Sequence, residues 1–250
     1  MKAASSEATK NEIKFTPSNA QSTARRVKQA RATRYQQINA LFAAHNLDYP
    51  PAQVLMRLFK REAILELWVR PHQANAKFIL LKPYKVCADS GELGPKRQRG
   101  DYQVPEGFYE IKSFNPVSSF HLSMLVSYPN KSDCIRATAR DPGGQICIHG
   151  DCVTIGCVPL TNEWIEELYL IALDTHEQHP QTPVVAHLFP ARLDEQGLKK
   201  LNKDYANKPK LLNFWQELIP GYQIFEETHL LPEIKINKNG VYELSASKQK

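Results

Sequence analysis

The chain of 250 residues is 42% hydrophobic and has a net charge of +6, so it can bury the core of one large domain and is not a polar, unstructured chain. It contains no run of about 18 apolar residues, which excludes a membrane-spanning helix. Because its start has no apolar leader, we expect either a cytosolic protein or one whose signal segment has been removed.

The excess positive charge lies at the N-terminus. Residues 1–40 hold eight Lys or Arg and two acidic residues, which leaves 24 of each sign (32 − 8 and 26 − 2) in the rest. We predict a basic arm over residues 1–48, mobile over 1–20 and helical over 22–45. A solvated helix face is the simple interpretation of its charge, and attraction to an anionic polymer or membrane surface is the alternative. No recognised nucleic-acid module accompanies the arm, so nucleic acid is not an expected partner.

The middle of the chain is predicted to be rich in strands. Pro50 and Pro51 are typical of a helix start, which predicts a short helix over 50–59. Residues 63–70 and 77–86 have the composition of two strands of a hairpin. A loop over 87–106 follows, and a turn at Pro142 precedes the last of the three further strands. These three strands are predicted over 107–113, 120–127 and 145–149.

Helices are predicted to flank these strands at the C-terminal side. Thr161 is a good N-cap for a helix with acidic residues in its first half. A strand over 184–189 and helices over 194–205 and 211–225 follow, and 234–244 forms a short hairpin or tail. The prediction is therefore an α+β protein with a domain over 49–230, flanking helices at both ends and a tail over 231–250.

One short segment combines histidine, glycine and cysteine in a spacing that suits nucleophilic chemistry. Cys147 and His149 fall on one face of the predicted strand. Cys157 follows a turn of about seven residues and precedes a helix whose dipole favours a thiolate. His149 can accept the thiol proton, and Gly156 leaves room for backbone N–H groups that hold an oxyanion. We predict Cys157 as nucleophile, His149 as general base and Gly156 as the third catalytic element.

Two other interpretations use the same residues. The first is a buried, inert cysteine beside a core histidine. The second is a tetrahedral zinc site, although the spacing matches no common zinc motif. Its ligands would be Cys147, His149, Cys152 and Cys157. The five cysteines, an odd number, fit one reactive thiol and four others that are paired or free. We expect neither a metal nor a cofactor.

Several motifs resemble those of the L,D-transpeptidase catalytic domain, also called the YkuD-like domain. His149-Gly150 followed by Thr154-Ile155-Gly156-Cys157 resembles its His-Gly and Ser/Thr-x-Gly-Cys pattern. Residues 100–109, GDYQVPEGFY, are similar to its Gly-Asp-x-x-Thr-Pro-x-Gly-x-Tyr motif. Three segments are closer to the YafK-like branch of this family, and the resemblance covers about residues 50–230. They are 90–96 (SGELGPK), 122–130 (LSMLVSYPN) and 214–226 (FWQELIPGYQIFE).

The resemblance implies a mixed-β, sandwich-like catalytic fold, a location in the bacterial envelope and peptidoglycan stem peptides with meso-diaminopimelate as substrate. The YafK-like branch is associated with hydrolysis that releases peptidoglycan-linked lipoprotein. Two departures from the wider family matter. The spacer between His149 and Cys157 is shorter, and Val158-Pro159 stands where other members have an apolar residue followed by Arg. The second departure argues against cross-linking.

We therefore expect a cysteine-dependent peptidoglycan hydrolase of the periplasm that cleaves an amide at diaminopimelate. Cross-linking by an L,D-transpeptidase is the alternative within the enzyme class, and a non-catalytic peptidoglycan-binding module is the alternative outside it. We expect five residues to contact the substrate. They are Thr154, Ile155, Gly150, Lys96 and Tyr128.

Overall fold

The computed structural model describes residues 20–247. The N-terminal 19 residues of the predicted arm and the last three residues of the predicted tail lie outside this range. Within it are five helices and ten strands. They are, in chain order, α1 (Ala20–Ala44), β1 (Gln53–Phe59), β2 (Ile64–Arg70), β3 (Ile79–Lys85), β4 (Gly107–Asn115), β5 (Ser123–Val126), α2 (Lys131–Ile135), β6 (Cys147–His149), β7 (Val158–Pro159), α3 (Asn162–Gln178), β8 (Val185–Phe189), α4 (Glu195–Asp204), α5 (Pro209–Thr228), β9 (Glu233–Ile236) and β10 (Tyr242–Ser245).

One eight-stranded mixed sheet forms the centre of the fold. Its order is β3-β2-β1-β8-β4-β5-β6-β7, with β1–β8 and β6–β7 parallel and the other neighbours antiparallel. A separate hairpin joins β9 to β10. The α+β class with flanking helices, the β2–β3 hairpin and the C-terminal hairpin are therefore confirmed. No helix of residues 20–247 is long and apolar enough to cross a membrane.

The predicted helix over 50–59 is wrong, because seven of its ten residues form strand β1. Both faces of β1 are covered, and all seven of its residues are buried. Val54 and Met56 face the core beneath α3, whereas Phe59 joins an aromatic cluster beneath α5. A strand buried on both faces loses the alternation that identifies a strand, and its leucines and methionine suit a helix equally well. Strand β7 and helix α2 were also missed, because both are very short.

Helix α1 packs against α3 rather than standing apart from the rest of the domain. Its apolar residues Ala30, Ile38 and Phe42 are buried in the same core as α3. Arg31 pairs with Asp174 of α3, and Arg34 donates a 2.8 Å hydrogen bond to Glu166. This part of the predicted arm is therefore helical, as expected, and two of its basic side chains hold acidic partners on α3.

The loop over 87–106 contains two carboxylates that organise it, the partly buried Asp101 and the buried Glu106. Asp101 accepts hydrogen bonds from Nζ of Lys96 at 2.6 Å and from three backbone N–H groups of the loop. Glu106, fully buried, accepts from Nζ of Lys60 at 2.9 Å, from the N–H of Gly94 at 2.7 Å and from Nε1 of Trp215 at 2.7 Å. We call this second group the Glu106 hub. It ties the loop to the end of β1 and to α5.

Candidate active site

Cys157 lies beside strand β6, at the meeting point of two cavities. The larger, of about 600 Å³, also contacts His149, Thr154 and Phe120. The smaller, of about 240 Å³, lies between the end of β1 and the loop over 87–106 and shares Cys157 with the first. The side chain that the sequence identified as the nucleophile is therefore accessible from two directions.

Strand β6 supplies the contacts to the Cys157 sulfur. The backbone N–H of Cys147 donates to Sγ at 3.4 Å, and Sγ lies 3.7 Å from the carbonyl oxygen of Gln145. The expectation that Cys147 and His149 share one face of this strand is confirmed, because both side chains contact Cys157. Thr161 caps α3 as predicted. Strand β7 separates Cys157 from that helix, so the contacts to the thiol come from β6.

His149 is buried and fixed in orientation. Its Nδ1–H donates to the carbonyl oxygen of Gly150, which leaves Nε2 for the thiol. The ring of Phe120 covers the imidazole at a centroid distance of 4.7 Å. Burial opposes the charged imidazole, but contact with Cys157, the Gly150 carbonyl and the negative charge of Asp151 together raise the pKa of His149. The bond to Gly150 thus fixes the imidazole ring and leaves Nε2 free to face Cys157.

The Cys157 thiol is strongly acidic in this setting. A hydrogen bond from the Cys147 thiol, opposed by burial and supported by His149 and by the Cys147 N–H, lowers the pKa of Cys157 to about 5. The same contact, together with burial, raises the pKa of Cys147 and keeps that thiol protonated. These shifts favour a Cys157 thiolate beside a protonated His149 and a neutral Cys147.

Thr154 holds the turn that precedes Cys157. Its hydroxyl oxygen accepts from the N–H groups of Gly156 at 3.1 Å and Cys157 at 2.8 Å, and its hydroxyl donates to the Cys157 carbonyl oxygen at 2.9 Å. The N–H groups of Gly156 and Cys157 are therefore already bonded, and the predicted oxyanion site stays a prediction. Gly156 has φ +133°, and a Cβ there would lie 3.1 Å from the Gln103 carbonyl oxygen, so this position requires glycine.

Two of the residues predicted to contact substrate lie away from the cavities around Cys157. Gly150 is buried, and a Cβ at that position would clash with Asn162 and Ile165, so this glycine allows close packing of the turn against α3. Tyr128 is buried and donates to the carbonyl oxygen of Pro142 at 2.8 Å. Neither residue lines the cavities around Cys157. Both residues therefore pack around the site without facing its cavities.

The other three predicted substrate contacts do line the larger cavity. Ile155 is the most exposed of them, at 76%, and Thr154 holds the turn as described. Lys96 reaches the wall, but its ammonium group already donates to Asp101. Sequence reasoning did not identify Phe120 and Tyr102, two exposed aromatic residues of the wall. They lie in loops, where sequence alone gives no measure of exposure.

A disulfide between Cys87 and Cys152 joins the start of the loop over 87–106 to the active-site turn, with the Cα atoms 5.4 Å apart. Cys134, Cys147 and Cys157 are free thiols. The alternative zinc set is corrected by this bond, since Cys152 is no longer available as a ligand. The pairing of these cysteines, 65 positions apart, could not be inferred from spacing.

The fold and the site together define a class: an α+β domain whose mixed sheet presents a hydrogen-bonded cysteine and histidine in an open cleft. This arrangement meets the requirements of nucleophilic thiol chemistry.

Comparison with known proteins identifies the family. The chain is 34% identical over 194 residues to the candidate L,D-transpeptidase YafK of Escherichia coli, in strain K12 and in O157:H7, which covers 77% of this chain and 74% of the relative. No family model matches. On the strength of the sequence match, the chain belongs to the L,D-transpeptidase family, in its YafK-like branch.

Solved structures give weaker likenesses. The helical cell shape determining protein Pgp2 from Campylobacter jejuni has a TM-score of 0.46 and 19% identity, covering 74% of this chain and 73% of Pgp2. Bd1075 from Bdellovibrio bacteriovorus has a TM-score of 0.39 and 16% identity, covering 71% of this chain and 61% of Bd1075.

Proposed function

We propose that this protein is a cysteine-dependent peptidoglycan hydrolase that cleaves an amide at the meso-diaminopimelate of the stem peptide and so releases covalently attached lipoprotein. The observation that carries the proposal is the position of Cys157, whose sulfur contacts Cys147 and His149 and opens to cavities on two sides. Family membership supplies the substrate class.

The reaction begins with attack of the Cys157 thiolate on the carbonyl carbon of the scissile amide. The imidazolium of His149, directed at the sulfur by its bond to the Gly150 carbonyl, then protonates the leaving amine. This collapse breaks the C–N bond and leaves a thioester on Cys157. Water activated by the neutral imidazole hydrolyses the thioester and regenerates the thiolate.

The developing oxyanion needs hydrogen-bond donors other than those that Thr154 already uses. Within residues 20–247, the backbone N–H of Ile155 has no acceptor and belongs to a residue that lines the larger cavity. It is therefore the first donor available to a substrate oxygen there. An N–H group of Gly156 or Cys157 contributes only if the Thr154 hydroxyl moves away.

Arg99 is the cation best suited to meet a substrate carboxylate. Its side chain is 71% exposed, and its bond to Asp141 is a solvated surface pair that water and salt weaken. That pair can exchange for a ligand at little cost. The pair between Lys96 and Asp101 is largely buried and holds the loop together, so Lys96 shapes the wall of the cavity rather than binding substrate directly.

Water is the proposed acceptor because the chain lacks the arginine that follows the nucleophile in other members. Pro159 occupies that position, lies buried in strand β7 and uses its carbonyl oxygen to accept the Cys87 N–H at 3.1 Å. The cell envelope is the proposed location. The Cys87–Cys152 disulfide supports it, because such bonds persist in oxidising compartments.

The test uses two substrates in parallel. Sacculi that carry bound lipoprotein should lose it and retain tripeptide stems ending in diaminopimelate, as measured by mass spectrometry. Tetrapeptide muropeptides alone should yield few dimers with direct diaminopimelate–diaminopimelate bonds. Abundant dimers without lipoprotein release would favour the cross-linking transpeptidase, and binding to sacculi without any product would favour the non-catalytic module.

A further inference from the structure

A second thiol faces the proposed nucleophile across two neighbouring strands. Strands β6 and β7 are parallel, with Ile148 opposite Val158. Cys147 and Cys157 are the residues immediately before this pair, so they too lie opposite each other. Side chains at opposite positions of parallel strands point to the same face. The register thus brings the two sulfur atoms together.

Cys147 contributes two donors to one acceptor. Its backbone N–H donates to Sγ of Cys157 at 3.4 Å, and the strand register places its thiol beside that sulfur. The hydroxyl of Ser123 on β5 contacts the Cys147 thiol from the other side. Ser123 is buried and lies opposite His149 in the β5–β6 register. The thiol of Cys147 is therefore oriented between a hydroxyl and the nucleophile.

We propose that Cys147 is a positioning residue for the nucleophile, because its thiol and its backbone N–H both donate hydrogen bonds to Cys157 and stabilise the thiolate. This inference rests on the proposed role of Cys157. It assigns to Cys147 a task that His149 cannot perform throughout the reaction. His149 must give up its proton to the leaving amine, whereas Cys147 keeps its proton and remains a neutral donor.

The stabilisation acts on both chemical steps. Before attack it increases the fraction of Cys157 present as thiolate at mildly acid pH. In the thioester the sulfur carries no charge and accepts hydrogen bonds weakly. When the thioester is hydrolysed the thiolate is expelled, and the two donors again stabilise it as the leaving group. Loss of the Cys147 thiol is therefore expected to slow turnover most at low pH.

The experiment measures the pH dependence of Cys157 alkylation by iodoacetamide in the full chain with its disulfide intact. Peptide mapping by mass spectrometry reports modification at Cys157 alone. Four proteins are compared: the parent, Cys147→Ala, Cys147→Ser and the control Cys134→Ala, which removes an exposed free thiol. Circular dichroism and thermal melts establish that each variant is folded.

In Cys147→Ala, the pH midpoint of alkylation should rise by about one unit or more. At pH values below the midpoint, the alkylation rate should then be about tenfold lower than in the parent. Cys147→Ser keeps a hydroxyl donor and should restore part of the shift, whereas Cys134→Ala should leave the midpoint unchanged. The acid limb of kcat/KM for lipoprotein release should move with the midpoint.

An unmoved midpoint in Cys147→Ala would overturn the inference, even if activity fell equally at every pH, because that pattern indicates packing alone. This outcome is distinguishable from failure of the proposed function. If Cys157→Ala lost turnover while the Cys147→Ala midpoint stayed fixed, only the role of Cys147 would be wrong. If Cys157→Ala kept its turnover, both would be wrong.

Discussion

The Glu106 hub and the Cys157 site are both built from polar groups held against the sheet, yet they differ in what remains available. In the hub, both oxygens of Glu106 accept hydrogen bonds, and Lys60 also donates to the carbonyl oxygens of Glu92, Gly94 and Val104. At the site, the Cys157 sulfur accepts a hydrogen bond from the Cys147 N–H but also borders two cavities. Full internal pairing serves stability, whereas partial pairing beside a cavity serves chemistry.

The largest expected difference between the two regions concerns Cys157. Replacing Cys157 by Ala should abolish lipoprotein release because no other thiol occupies the position of attack. The melting temperature should change little, since the thiol contributes few packing contacts. Cys134→Ala is the control and should behave as the parent protein. Release by Cys157→Ala above the background of untreated sacculi would remove Cys157 from the mechanism.

His149→Ala should lower the rate of release by about 10²–10⁴-fold, the usual contribution of a positioned acid–base group. The fold should persist, as judged by circular dichroism. His72→Ala, which alters an exposed histidine between β2 and β3, is the matched control and should retain full activity. Equal rates in His149→Ala and His72→Ala would show that another group transfers the proton.

Replacing Glu106 by Ala should lower the stability of the fold and leave the chemical step unchanged. It leaves Lys60 without its carboxylate in a buried setting and Trp215 without an acceptor, a change that costs about 3–5 kcal/mol of unfolding free energy. Urea denaturation measures this cost. Glu92→Ala, which removes an exposed pair with Lys208, should cost about 0–1 kcal/mol. Similar losses in both variants would contradict the distinction between hub and surface.

The pH profile of kcat/KM should show two limbs with separate causes. The Cys147 thiol and His149 hold the pKa of Cys157 at about 5, so activity should fall as pH drops through that value and the thiolate is protonated. The pKa of His149 is raised above its ordinary value of 6.5, so activity should fall at higher pH as the imidazolium is lost. A profile with an acid limb near the ordinary value for cysteine would contradict this electrostatic account.

The smallest expected effect concerns the link between α1 and the site. Arg26 donates to the carbonyl oxygens of Ser118 and His121, at 2.7 Å and 2.6 Å, and so holds the loop that places Phe120 over His149. Arg26→Ala should lower kcat severalfold because the imidazole loses part of its orientation. Arg25→Ala, at an exposed neighbouring position, should have no effect on kcat. Equal values of kcat in the two variants would show that α1 contributes to core packing and not to the orientation of His149.

Local patterns predicted much of this molecule. The spacing of His149, Thr154 and Cys157 predicted a site, and the three residues lie together in the structure because they belong to one short segment. Helix α3 and the β2–β3 hairpin were predicted from a cap and a turn, which are also local. Strand β1 was missed because burial on both faces removes the alternation of apolar and polar residues that identifies a strand.

Contacts between distant segments could not be predicted from a single sequence. The Cys87–Cys152 bond joins positions 65 residues apart, and Arg26 meets Ser118 across 92 residues. The state of the backbone donors beside Cys157 also could not be predicted, because no local pattern indicates that the Thr154 hydroxyl accepts the N–H groups of Gly156 and Cys157.

The most direct test of the account is the detection of the covalent intermediate during turnover. Parent protein mixed with lipoprotein-bearing stem peptide and stopped in acid should carry the acyl part of the stem, ending at diaminopimelate, on Cys157 as a thioester. Intact mass and peptide mapping would locate it, and it should disappear as free tripeptide accumulates. Product formation without any adduct on Cys157, or an adduct on another residue, would contradict the account.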